Sequence, residues 1–146
     1  MNQLAKEFLQ EKQIAVVGAS NNPKKFGYAA LQELKLRGFE VFPVHPKEET
    51  IQGIPCSSNL SALQGKVTAV WMGVKPDKGA DVLRDAAKIG VKKVWIQQMS
   101  ETPELIALGK ELGLTLIVGK CILMYAEPVK SFHGFHRFFV KLFGQY

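Results

Sequence analysis

A chain of 146 residues, 47% hydrophobic and 22% charged, has the length and apolar content to fill one core, so a single domain over 1–146 is expected. No run of about 18 apolar residues occurs, which excludes a helical membrane span, and Cys56 and Cys121 are too few and too far apart for a disulfide framework or a zinc site. The net charge of +6 invites a nucleic-acid reading, yet Lys130, Arg137 and Lys141 put half of the excess into residues 130–146, where there is no acid; a small anionic ligand plus a basic tail explains the balance as well as a polynucleotide does.

In chain order, residues 1–12 mix Lys6, Glu7, Glu11 and Lys12 with Leu4, Phe8 and Leu9, a short amphipathic helix without the apolar core of an export signal, so a cytoplasmic location is the default expectation. Five short, β-branched, nearly continuous apolar runs follow: Ile14–Val17, Glu40–Val44, Val67–Val74, Lys93–Ile96 and Leu114–Val118. Such runs suit strands covered on both faces of a parallel sheet. Between them, Tyr28–Arg37 has helical apolar spacing and stops at Gly38; Pro76 opens a helix through Asp77–Ile89 that stops at Gly90; Pro103 and Glu104 open another that runs to Glu111 and stops at Gly113. The second crossover differs. Residues 46–65 carry Pro46, Gly53, Pro55, Ser57, Ser58 and Asn59, and predict a loop-rich connection with at most one helical turn near Leu60–Leu63. The alternation predicts an α/β, doubly wound, Rossmann-like five-stranded parallel sheet of order 3-2-1-4-5 flanked by helices, with its core over 12–126 and a C-terminal aromatic and basic helix over 128–146.

The first strand runs into Gly18-Ala19-Ser20-Asn21-Asn22-Pro23-Lys24-Lys25-Phe26-Gly27 and then into a helix. The amides of such a turn and of the first helical turn have no internal partners, and the helix dipole favours an anion there. The segment lacks both the three-glycine dinucleotide fingerprint and the Lys-Ser/Thr ending of a phosphate loop, so alone it is a weak signal, beside which stands the plainer reading of a tight turn that needs glycine for its dihedrals. Lys24 and Lys25 favour the anion reading, because basic residues in the first helical turn oppose the dipole unless an anion is present. After the second strand, an NAD site would carry Asp or Glu for the ribose hydroxyls; Val44-His45-Pro46-Lys47 stands there instead, with donors suited to a phosphorylated ribose, as in NADP or coenzyme A.

In Val16-Val17-Gly18-Ala19-Ser20, Val41-Phe42-Pro43-Val44-His45-Pro46, Gly53 with Pro55, Trp95-Ile96-Gln97-Gln98 and Lys120-Cys121-Ile122, in this order and spacing, the chain resembles the small CoA-binding proteins. These are single-domain relatives of the CoA-binding Rossmann domain in the succinyl-CoA synthetase α subunit. The resemblance runs from about Lys12 to Ala126. It implies that Gly18, Ala19, Ser20 and the segment Lys24, Lys25, Phe26, Gly27 hold the pyrophosphate, and that Val44, His45, Pro46 and Lys47 border the adenosine and its 3′-phosphate. Val74, Lys75 and Pro76 would line the adenine side or the cleft, and Gln97, Gln98 and Met99 would face the pantetheine end.

No Ser/His/Asp, Cys/His or paired-carboxylate set falls together on the strand ends, so turnover is not expected. The expected role is that of a carrier, sensor or partner-binding module for CoA or acyl-CoA. An NADP-dependent reductase or nucleotide-responsive redox regulator is the alternative, and nucleic acid is not expected as a partner. Cys121 follows the fifth strand, at the same sheet end as the site, and Cys56 lies in the second crossover; each reads as a small core hydrophobe or as a thiol that exchanges with CoA. In the tail, Phe132, Phe135, Phe139 and Leu142 recur at helical spacing. They suit a helix packed on the sheet or across a homodimer interface, a peripheral contact with an anionic membrane, or a contact with the bound ligand. His133 and His136, without Cys or carboxylate support, make a poor metal site.

Overall fold

The computed structural model describes residues 3–120. The elements run α1 (Gln3–Phe8), β1 (Gln13–Val17), α2 (Phe26–Leu36), β2 (Glu40–Val44), β3 (Thr50–Ile51), β4 (Ile54–Pro55), a 3-10 turn (Leu60–Leu63), β5 (Ala69–Met72), α3 (Pro76–Lys88), β6 (Lys93–Gln97), α4 (Pro103–Glu111) and β7 (Thr115–Lys120). All five apolar runs become strands of one parallel sheet, ordered β2-β1-β5-β6-β7. The third run, expected over Val67–Val74, narrows to Ala69–Met72.

The fold class holds, but the expected strand order does not. Numbered among themselves, the five sheet strands lie in order 2-1-3-4-5 rather than 3-2-1-4-5. Pro43 supplies a physical reason. Glu40 N–H donates to Lys12 O (2.9 Å) and Gly18 N–H to Val44 O (3.4 Å), so the even-numbered residues of β2 turn their main-chain groups towards β1 and the odd-numbered ones face outwards. A strand paired on that outer side would find no donor at Pro43, and proline is confined to sheet edges. β2 is therefore the edge, and β5 takes the other flank of β1, where Thr68 and Gly73 N–H groups bond Gln13 and Val17 carbonyls at 3.0 and 2.9 Å.

The crossover between β2 and β5 is more ordered than expected. Thr50 pairs with Pro55 and Ile51 with Ile54 in an antiparallel hairpin. Its two turn residues, Gln52 and Gly53, both have positive φ (52° and 78°), which matches the right-handed twist of a two-residue hairpin. The expected helical turn is present as the 3-10 turn, capped by Asn59, whose side-chain oxygen accepts from Ala62 N–H.

The sheet buries both faces. On one, Ala5 and Phe8 of α1 and Ala29, Ala30, Leu31 and Leu34 of α2 pack with Trp71 and Trp95. On the other, Leu60, Leu63, Leu83 of α3 and Leu105 of α4 pack with Val70, Met72, Val94 and Ile96. Each large side chain so buried contributes about 1.5–3 kcal/mol. Phe8 meets Trp95 edge-on at 5.3 Å, which fastens the first helix to the sheet. Because β1 leads to β2 on one side while β5 leads to β6 on the other, the strand order reverses between the carboxyl ends of β1 and β5. In open α/β sheets a crevice forms at that point.

Candidate functional site

Two glycines make the turn after β1. Gly18 has φ +97°, and a Cβ built there would collide with the carbonyl oxygen of Gly73, on the loop after β5. A Cβ at Gly27 would collide with the carbonyl oxygen of Gly18 itself. Strand end, helix start and the neighbouring loop thus meet backbone to backbone, a closeness only glycine permits. Within the turn, Ser20 Oγ accepts from Asn22 N–H and Asn22 Oδ1 from Lys24 N–H, both at 2.9 Å.

Lys25 is the N-cap of α2, makes no side-chain cap bond, and no acid stands in the first turn. Lys75 is the N-cap of α3, likewise without a side-chain cap, although here Asp77 stands in the first turn. At α4, by contrast, Thr102 Oγ1 caps the start by accepting from Leu105 N–H (3.1 Å). Both uncapped starts border one cleft of about 600 Å3. Two positive dipole ends and the cations Lys25, Lys75 and Lys78 converge there, an arrangement that attracts phosphate.

Most of the residues singled out in the sequence come together in this cleft. Gly18, Ala19 and Ser20 enter from the turn; Lys25, Phe26 and Gly27 from the start of α2; Val44, His45 and Pro46 from the end of β2; Val74 and Lys75 from the loop after β5. Lys24, Lys47, Pro76, Gln97 and Gln98 are outside its lining. Gln97 is buried, and its Oε1 accepts from the Trp71 indole N–H at 3.1 Å. Trp71 in turn stacks on Phe26, with ring centroids 6.1 Å apart. Gln97 thus steadies the aromatic floor beneath the start of α2.

The far wall is formed by residues that no sequence motif singles out. Ser58, Asn59 and Leu60 enter from the crossover, and Lys78, Asp81, Val82 and Asp85 from α3. The last four stand at i, i+3, i+4 and i+7, one face of a helix, and that spacing was the available signal. The largely apolar cleft consequently carries charge of both signs: cations at the helix starts, and two carboxylates along α3, Asp85 being about 15 Å from Lys75 at 1.5 Å per residue.

His45 is fixed by its own loop. Its Nδ1 accepts from the N–H groups of Lys47 (3.0 Å) and Glu48 (3.3 Å), which leaves Nε2 to carry the proton of the neutral ring. Cys56 is outside the cleft lining and points its thiol at the carbonyls of Ser57 (3.5 Å) and His45 (3.9 Å). Burial raises its pKa above the ordinary thiol value and the nearby Glu48 charge adds to this, against the opposing effect of the His45 hydrogen bond. Among the described residues no group of three or more His, Cys, Asp or Glu is placed to hold a metal ion, and no helix is long and apolar enough to cross a membrane. Cys121, His133, His136 and the helix expected over 128–146 lie outside the described residues.

A parallel sheet with a glycine turn at its switch point and two helix starts facing one crevice defines a Rossmann-like α/β domain. The chain belongs to the CoA binding domain family, which it matches over residues 12–127. It is 30% identical, over 126 residues, to the α subunit of an ADP-forming acetate–CoA ligase II from Pyrococcus furiosus, covering 79% of this chain and 28% of that subunit. It therefore spans under a third of the ligase subunit's length. It is also 29% identical to the uncharacterised protein YneT of Bacillus subtilis, with 80% of this chain and 87% of the relative covered. A conserved hypothetical protein from Pyrococcus furiosus has the same fold, with a TM-score of 0.73 and 36% identity over 76% of this chain and 96% of that one.

Proposed function

We propose that this chain binds coenzyme A or an acyl-CoA in the cleft at the switch point, as a non-catalytic carrier, sensor or partner-binding module built on one domain. The observation that carries the reading is the pair of helix starts, α2 and α3, that open on the same cleft with a lysine instead of a side-chain cap. An apo helix gains from Ser, Asp, Asn or Thr at that position, so leaving both starts open favours a ligand that brings its own negative charge. Gly18, Ala19, Ser20 and the amides at the start of α2 would take the pyrophosphate, with Lys25 beside it. Lys75 and Lys78 offer a second cationic position for the remaining phosphate. Val44, Leu60, Val74 and Val82 supply apolar wall for the base, and family membership favours CoA over other nucleotides.

NADP is the competing ligand, because it too has a phosphorylated ribose and no acid follows β2 at His45-Pro46-Lys47. Titration calorimetry with CoA, acetyl-CoA, NADPH and NADH separates them. Saturable binding of CoA or acetyl-CoA with both nicotinamide nucleotides silent is the expected result. Tight NADPH binding with CoA silent would replace this reading with the reductase one.

A further inference from the structure

We infer that Asn21 is a positioning residue for the phosphate turn, fastening it to the hairpin of the second crossover; this rests on the CoA reading above. Asn21 stands directly after the Gly18-Ala19-Ser20 corner, and its side-chain amide is engaged at both ends by a segment about thirty residues away. Nδ2 donates to Glu48 Oε2 (3.1 Å) and to the Thr50 carbonyl (2.9 Å), and Oδ1 accepts from Gln52 N–H (2.9 Å). Both amide donors and the amide oxygen are thus engaged by one strap.

The strap holds the turn from its other side as well. Gln52 Nε2 donates to the Tyr28 carbonyl (2.8 Å) in the first turn of α2, and Ile51 is fully buried in the core beneath that helix. The hairpin therefore grips the turn upstream at Asn21 and downstream at Tyr28. The Ser20–Asn22–Lys24 bonds described above are local to the turn. They do not fix its position against the rest of the molecule, whereas the Asn21 bonds do. An anion seat built from backbone amides works only if those amides already point inwards, since ordering them on binding costs about 1–2 kcal/mol per residue fixed.

Glu48 gives the inference a sharper signature. Its carboxylate sits at the edge of a turn meant for an anion and is tied there by the Asn21 N–H. N21A removes the clamp. N21D keeps an acceptor for Gln52 N–H, loses both donors, and sets a second carboxylate against Glu48. E48Q added to N21D removes that repulsion and supplies a new donor.

The test is calorimetric CoA affinity for the full chain, its N21A, N21D, E48Q and N21D/E48Q variants, beside the melting temperature of each. N21A should weaken CoA about tenfold, the factor that about 1.4 kcal/mol of lost preorganisation produces, and lower the melting temperature by a few degrees without unfolding the chain. N21D should weaken it further, and E48Q, near neutral by itself, should recover most of the N21D loss. An N21A affinity within about twofold of the parent, or an N21D defect that E48Q leaves untouched, overturns the inference while CoA binding by the parent keeps the ligand assignment intact. If the parent chain fails to bind CoA, the ligand assignment falls and this inference falls with it.

Discussion

Among the described glycines, Gly18 and Gly27 are the ones that would direct a Cβ into a backbone carbonyl oxygen, which cannot rotate away. G18A adds strain at a φ of +97°, which costs about 1–3 kcal/mol before any collision is counted. Its melting temperature should fall by several degrees, at roughly 2–4 °C per kcal/mol for a chain of this size, with CoA affinity lost. G27A is expected to lose CoA affinity too, since its methyl wedges the helix start off the turn; unchanged calorimetric affinity in G27A would show that the two need not touch. Cys56 is a different sort of residue. Its folded-state pKa is raised, chiefly by burial, so the fold favours the neutral thiol. That contribution to stability is fully present below the unfolded thiol's pKa and is lost as pH rises through the raised folded value. Melting curves should therefore show a loss on the alkaline side that is smaller in C56S. Peptide-resolved alkylation at neutral pH should label Cys56 slowly, because the thiolate is the reactive form. Both glycines were legible in the sequence, where a strand running into Gly18 with Gly27 behind it already described a turn at a helix start. Gln97 was not: its partner Trp71 lies on another strand, and only the β5–β6 pairing reveals that an indole N–H needs its oxygen.

At the level of elements, the starts of the helices divide by how they are capped. Thr102 caps α4 in the ordinary way, whereas α2 and α3 begin at Lys25 and Lys75 with nothing from the side chain to satisfy their first amides. Replacing Lys25 by Asp would supply the missing cap and complement the dipole, worth about 0.5–2 kcal/mol to the free protein. The same carboxylate would occupy the amides and the charge that a phosphate requires. K25D is therefore expected to melt higher than the parent without ligand and to bind CoA at least about tenfold more weakly, a stability–function exchange read by paired melting and calorimetry. A variant that melts higher and binds equally well would remove α2 from the phosphate site. The helices and strands themselves were readable from apolar runs with Pro before and Gly after. The strand order was not inferred correctly, although Pro43 carried the information: a strand with a proline facing its outer side must lie at an edge. Likewise Gln52-Gly53 marked a two-residue turn inside a stretch read as loop, but two-residue strands are too short to give an alternating pattern.

Across the whole molecule, the cleft draws on both layers that cover the sheet. α2 belongs to one face and the 3-10 turn and α3 to the other, and they meet at the carboxyl ends of β1 and β5. A ligand spanning Lys25 to Asp85 would join the two layers across the edge of the sheet, so its binding energy should be felt in global unfolding and not in one loop alone. Binding to the folded state only, at a hundred times the dissociation constant, stabilises by about 2.7 kcal/mol. For a chain of this length that corresponds to a rise of roughly 5–11 °C in the melting temperature. The basic charges around the helix starts make part of this electrostatic, so the dissociation constant should rise with added salt, and the melting shift at fixed CoA should shrink with it. Hydrogen exchange gives the spatial counterpart: CoA should protect amides in α2 and α3 together. Protection confined to one of them, at ligand concentrations that saturate the thermal shift, would mean that the site lies on one face of the sheet and that the switch-point cleft is not where CoA is held.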